Sequence, residues 1–245
     1  MSNIQKFYTL EKFNKNNARE LLNLDFGVSA WSANNSPLPI IDKFDLIKTF
    51  KGYDTYGMVY RNFSVFYYSK ILNMGIVSFS GTEYTSEWID DFDFRQTNPI
   101  SITSDNKIFV HIQFYKIYDS LRNDLIQTIK DTINKNTVLI CTGHSLGGAI
   151  ASICYIDMIM NNIVQNRTLY TFGSPRSGNV EFANIINKEN TGFRIVNSAD
   201  LTPTVPLPVL SSTIYCHFNN CISFSINGGN YVYNHGDAYT VFLQD

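Results

Sequence analysis

One five-residue stretch, Gly143-His144-Ser145-Leu146-Gly147, sets a nucleophile where chemistry can use it. The G-x-S-x-G pattern becomes mechanically meaningful at the junction of a buried strand and a helix, where the serine occupies a sharp, strained turn that lifts its hydroxyl above the strand end. Glycines two residues away on either side keep neighbouring Cβ atoms from colliding. The apolar run TVLICTG before the serine and the small-residue run LGGAIA after it supply that junction. A helix that begins right after Ser145 also aims its free N–H groups at charge forming on a substrate oxygen, so Leu146 N–H is one expected oxyanion donor.

A serine hydroxyl is a poor nucleophile until an imidazole accepts its proton, and the imidazole needs a carboxylate to set its tautomer. Four histidines compete. His144 adjoins the serine but should point away on the turn, and His111 falls at a helix start; both read as packing residues. His235, in YNHGDAY near the C-terminus, lies where a strand-helix hydrolase delivers its base on a loop after the last strands, with His217 in CHFNNC as the alternative. Asp200 in NSADLTPTVP follows an expected strand, FRIVNS, and preserves the order Ser, Asp, His. A turn-forming Asp before Thr-Pro is the competing reading, and Asp157 and Asp237 are more distant alternatives. Val205 and Leu207, in the proline-rich run that follows, either line an acyl pocket or stiffen a loop.

These groups need a frame. Residues 10–24 read as a polar helix and 26–35 as the start of a second, both bracing a sheet from outside. From Tyr56 the pattern becomes short β-rich runs, GMVYRN, FSVFYYSK and ILNMGIVSFSGT. Apolar residues at Val110, Phe114, Tyr118, Leu121, Leu125 and Ile129 share one helical face over 108–133. Strand TVLICTG, a helix from Leu146 to about Asn161, then strands RTLYTFG and FRIVNS complete an alternation that implies an α/β fold with a mostly parallel central sheet flanked by helices. The length suits one domain, residues 1–245.

Composition narrows the functions. A formal net charge of −2 with acids and bases interspersed leaves no basic footprint for nucleic acid and no strong pull toward anionic lipid. Cys141 and Cys154 sit in apolar company and read as packed thiols. Cys216 and Cys221 could close a small loop but lack the second pair that zinc would want, so free thiols are expected and no metal. The opening MSNIQKFYTLEKFNKNN carries charges where a secretory leader has an apolar run, and no segment is apolar over a membrane's thickness. The expectation is an intracellular, soluble chain without a transmembrane segment, secretion remaining the alternative.

Six stretches in order carry a resemblance to the class 3 lipase family, the fungal-lipase-like α/β-hydrolases. They are VSFSGT (77–82), EWIDDFDF (87–94), VHIQFYKIY (110–118), CTGHSLGGAIA (141–151), YTFGSPRSGN (170–179) and FRIVNSADLTPTVP (193–206). The resemblance implies the α/β-hydrolase fold and the catalytic set Ser145, Asp200 and His235, with the aromatic Tyr239 a few positions on favouring His235 over His217. It makes Thr82 the second oxyanion donor and places a lid in 83–94, with Tyr84, Trp88 and Ile89 meeting lipid or packing inward. One departure is Ser80, where many members carry Arg. The implied activity is hydrolysis of carboxylic esters, acylglycerols or related lipids, through an acyl-enzyme and without metal or organic cofactor. The implied partner is a lipid or small ester, with transient adsorption to a lipid interface. Phospholipase activity, or a lipase-like module that binds without catalysis, are the alternatives.

Overall fold

The computed structural model describes residues 12–55, 58–81, 94–210 and 213–244. Thr82, Tyr84, Trp88 and Ile89 therefore lie outside the described residues.

Helix α1 runs Lys15–Asn34, capped by the Asn14 side chain accepting from Asn17 N–H and closed by Asn35 in the left-handed region at φ 58°. Two helices were expected here and one is found. The helix runs on through Gly27, where Pro39 crosses it: a Cβ there would stand 2.1 Å from the proline Cγ. The helix also does more than brace. It buries Ala18, Leu21, Leu22, Asp25 and Val28 against the sheet.

Seven strands form one sheet whose spatial order follows the chain: β1 (Asp45–Asp54), β2 (Val59–Ser69), β3 (Met74–Phe79), β4 (Val138–His144), β5 (Asn166–Phe172), β6 (Gly192–Asn197) and β7 (Cys221–Phe224). The first three pair antiparallel and the rest parallel, so the sheet is mostly parallel as expected. Strand β1 was not anticipated. It is an edge strand whose first five residues are exposed, which erases the alternation that a half-buried strand shows. Strand β2 joins two runs read as separate strands, because Asn62 pairs with Lys51 and Ser64 with Phe50, the ladder passing Phe63 by a register shift and not a turn.

Helix α2 occupies Ile112–Thr132, shorter at its start than the periodicity suggested because Val110 and His111 pair with Thr97 and Gln96. Helices α3 (Leu146–Met160), α4 (Val180–Glu189), α5 (Tyr231–His235) and α6 (Asp237–Gln244) follow. Apolar residues split between the two faces of the sheet. Phe63, Val77, Phe79, Tyr118, Leu121, Ile150 and Cys154 share one cluster with α2 and α3, and Leu22, Val65, Ile76, Tyr170, Phe172 and Tyr239 share the other with α1 and α6. Along β3 the alternation of Ile76 against Val77 is the two-residue strand period that makes a three-layer packing possible. All four cysteines are free thiols, with the buried sulfurs of Cys141 and Cys154 3.9 Å apart. No helix among the described residues is long and apolar enough to cross a membrane.

Candidate active site

Strand β4 ends at His144 and α3 begins at Leu146, leaving Ser145 alone on the turn at φ 58°, ψ −130°. That conformation costs a non-glycine residue on the order of 1–3 kcal/mol and persists only where the surroundings impose it. Here they do. A Cβ at Gly143 would lie 2.2 Å from the Gly147 carbonyl carbon, and one at Gly147 would lie 2.2 Å from the Phe79 oxygen. Strand and helix therefore approach as backbone on backbone, and Ser145 N–H still donates to Phe172 O at 2.8 Å, carrying the β4–β5 ladder into the turn. Leu146, the first helical residue, carries one of the N–H groups that a helix cannot satisfy internally.

Strand β6 releases the chain at Asn197, and Asp200 follows in the loop. Its Oδ2 accepts from His235 Nδ1 at 2.8 Å and from the Tyr239 hydroxyl at 2.7 Å, while its Oδ1 accepts from Thr202 N–H at 2.9 Å. Burial by itself would raise the Asp200 carboxyl. The hydrogen bond and charge of His235, with the Tyr239 and Thr202 donors, outweigh it and hold the pKa below the ordinary carboxylate value. A carboxylate facing Nδ1 puts the ring proton there and leaves a lone pair on Nε2, the arrangement a general base needs. Ser145, Asp200 and His235 are 4%, 2% and 7% exposed, so each is shielded from bulk water.

Among the described residues Ser145 Oγ makes no hydrogen bond, and His235 Nε2 meets the Thr202 hydroxyl at 3.5 Å, the limit of such contact. Catalytic bonds of this kind commonly tighten only around substrate. Behind the dyad, Gly173 adopts φ 57°, and a Cβ there would come within 2.9 Å of Asp200 Oδ2 and 3.2 Å of His235 Cε1.

The alternatives are placed elsewhere. His217 Nε2 meets the Pro203 carbonyl at 2.8 Å, and burial, aided by the charges of Arg194 and Arg176, lowers its pKa to about 3. His111 caps α2, its Nδ1 accepting from Gln113 N–H, and stacks on Phe114. Asp157 is held by Arg122 and the Tyr118 hydroxyl, and Asp237 is exposed at the start of α6. Val205 packs against the α2–α3 side of the core, whereas Leu207 is half exposed.

Sequence reasoning missed three features. Tyr239 was noticed as an aromatic but not as a donor to Asp200. Buried Asp25 on α1 accepts from Ser78 Oγ at 2.7 Å and Thr142 Oγ1 at 2.8 Å, tying the helix to β3 and β4; an Asp amid the apolar positions of an amphipathic helix is the signal that would have found it. His144, read as a packing residue, hydrogen-bonds the backbone of His235. No metal-holding group of three or more His, Cys, Asp or Glu occurs among the described residues.

A strained serine at a strand-helix turn and an Asp–His pair placed beyond the later strands of a mostly parallel sheet, the Asp in a loop and the His at the end of a short helix, define an α/β-hydrolase fold. The lipase (class 3) family model matches residues 76–210, more than half of the chain, and the chain belongs to that family. It is 29% identical over 134 residues to a secreted mono- and diacylglycerol lipase A of Penicillium cyclopium, covering 54% of this chain and 43% of that one. It is 32% identical over 169 residues to a lipase of Rhizomucor miehei, covering 66% of this chain and 44% of that one. The chain thus spans less than half the length of these curated relatives. Among solved structures it resembles a triacylglycerol lipase described as having a serine protease triad, with a TM-score of 0.71, 24% identity, and coverage of 85% of this chain and 79% of that one. It also resembles the mono- and diacylglycerol lipase of Aspergillus oryzae, with a TM-score of 0.70, 18% identity, and coverage of 89% and 82%. At such identities these likenesses establish the fold.

Proposed function

We propose that this protein is a serine hydrolase of carboxylic esters, acting on acylglycerols or related lipid esters. The observation that carries the reading is the His235 Nδ1 to Asp200 Oδ2 bond of 2.8 Å, with the His235 ring 4.5 Å from that of His144, the neighbour of a serine held at positive φ. Ser145 Oγ attacks the ester carbonyl as His235 Nε2 takes its proton. The carbonyl oxygen becomes an oxyanion that accepts from Leu146 N–H and Thr82 N–H, each worth roughly 10²–10³ in rate. The intermediate collapses to an acyl-enzyme as His235 returns the proton to the departing alcohol. Water then attacks the acyl carbon, giving its proton to His235, and the acid leaves as the proton returns to Ser145. Asp200 stabilises the imidazolium in both halves. None of these steps needs a metal or organic cofactor.

The relatives are named as lipases, that of Penicillium cyclopium as a secreted mono- and diacylglycerol lipase, which supports an acylglycerol over a phospholipid and gives no support to an intracellular location. The intact Ser, Asp and His count against a module that only binds. Residues 1–245 are read as one domain, a reading supported by the seven-stranded sheet that draws its strands from residues 45 to 224. Transient adsorption to a lipid interface belongs to the same reading.

The test is hydrolysis of p-nitrophenyl esters, acetate through palmitate, below and above their aggregation points, with Ser145→Ala as the blank. Serine-dependent turnover supports the reading, and a rise at aggregation supports interfacial action. Folded protein with no turnover above the blank would sink the acylglycerol reading.

A further inference from the structure

We infer that His144, the residue before the nucleophile, is a positioning residue for the catalytic base, holding His235 by its own backbone carbonyl. The inference rests on the functional reading above. His144 Nε2 lies 2.6 Å from His235 O, and because a carbonyl offers only lone pairs, Nε2 carries the proton and donates. The two rings face each other at a centroid distance of 4.5 Å, and Phe26 and Tyr239 set their edges against His144 from α1 and α6 at 5.0 and 5.9 Å. That packing leaves the His144 ring one orientation. Burial foremost, then the neighbouring His235, lowers the His144 pKa to about 3, so it stays neutral while His235 gains and loses its proton.

The geometry solves a particular problem. Nucleophile and base are 90 residues apart in sequence, and His235 sits at the last residue of a five-residue helix, an element too short to hold its own place. Asp200 fixes the ring through Nδ1, and Asn197 Nδ2 donates to the neighbouring Asn234 carbonyl at 2.9 Å, but neither bond refers His235 to the turn that carries the serine. The turn that presents Ser145 fixes His144 as well, so the bond to His235 O ties base to nucleophile through a single residue. Displacement of a reacting group by about 1 Å can cost 10²-fold in rate.

Reach separates positioning from packing. His144→Gln places an amide N–H where Nε2 stood; His144→Asn keeps the amide but falls short of the carbonyl; His144→Leu fills the space without a donor. The expected kcat on a soluble p-nitrophenyl ester is within about threefold of wild type for Gln and about 10² lower for Asn and Leu, with KM within about twofold throughout. The rate at which a fluorophosphonate labels Ser145 should follow kcat. The low-field proton signal of the His235–Asp200 bond should stay sharp in wild type and Gln and broaden in Asn and Leu, a reading independent of turnover. Equal behaviour of Gln and Asn overturns the inference, whether both are active or both impaired. Wild-type protein without Ser145-dependent turnover, its proton signal still distinguishing Gln from Asn, would overturn the hydrolase reading while leaving the positioning bond in place.

Discussion

The phenol of Tyr239 donates to Asp200 Oδ2 over 2.7 Å, sharing with His235 the one carboxylate oxygen that orients the base. The same hydroxyl accepts from Asn197 N–H at 3.2 Å, at the end of β6, so the acid is anchored to the sheet through a residue 39 positions further along. Tyr239→Phe removes one of the donors that hold the Asp200 pKa down. It is expected to lower kcat about tenfold, by loosening the His235 contact, whereas Asp200→Asn lowers it by about 10⁴ through loss of the charge and the tautomer. Steady-state kinetics on the two variants checks this, and a Tyr239→Phe enzyme as slow as Asp200→Asn would contradict the division of labour.

In the proposed mechanism Ser145 and His235 act as a unit, so their losses should not add. Either alanine variant is expected to lower kcat by roughly 10⁴–10⁶, and the double variant to be scarcely worse. His217→Ala, which removes only the bond to Pro203 O, should leave kcat within about tenfold. Full activity in His235→Ala would refute the assignment of the base.

Gly173 tests how closely the dyad is packed. Alanine there adopts a positive φ that L residues resist and thrusts a methyl into Asp200 Oδ2 and the Tyr239 hydroxyl. We expect Gly173→Ala to cost about 1–3 kcal/mol of stability and at least tenfold in kcat. Denaturant midpoints and turnover measured on one preparation would show it, and a variant indistinguishable from wild type would refute the close approach.

Asp25 supplies a pH test of the scaffold. Burial raises its pKa well above the ordinary value, against the opposing bonds from Ser78 and Thr142. The folded chain therefore keeps this proton to a higher pH than the unfolded chain, whose Asp titrates near 3.9. With more protons bound in the folded state, the contribution of Asp25 to stability is full below about pH 4 and declines as pH rises toward the folded pKa. Asn mimics the protonated acid. Asp25→Asn should gain on wild type as pH rises from about 4 to 8, while Asp25→Ala loses about 1–3 kcal/mol by stranding two buried hydroxyls. Thermal unfolding across that range decides, and a constant gap between wild type and Asp25→Asn would refute the shifted carboxyl.

Much of the fold was legible because its parallel strands are buried on both faces and read as apolar runs bounded by glycine, as in TVLICTG and RTLYTFG. The edge strand β1 escaped because its first half, Asp45–Thr49, is exposed on both faces, so the alternation of buried and exposed residues begins only at Phe50. The two helices expected over 10–24 and 26–35 are one, Lys15–Asn34, because buried Asp25 and the glycine under Pro39 are both accommodated within a continuous helix.

By itself the sequence determined most of the buried elements and the candidate nucleophile: G-x-S-x-G between an apolar strand and a small-residue helix is a local pattern, and its strain is written in neighbouring glycines. Only the tertiary structure decided which histidine faces Asp200, because His217 and His235 both lie in polar loops and differ in what the fold brings to them. The same holds for Tyr239 against Asp200 and His144 against the His235 carbonyl, contacts that span 39 and 91 positions. Hydrogen bonds across such separations arise from the packing of strand ends, which local residue pattern does not encode.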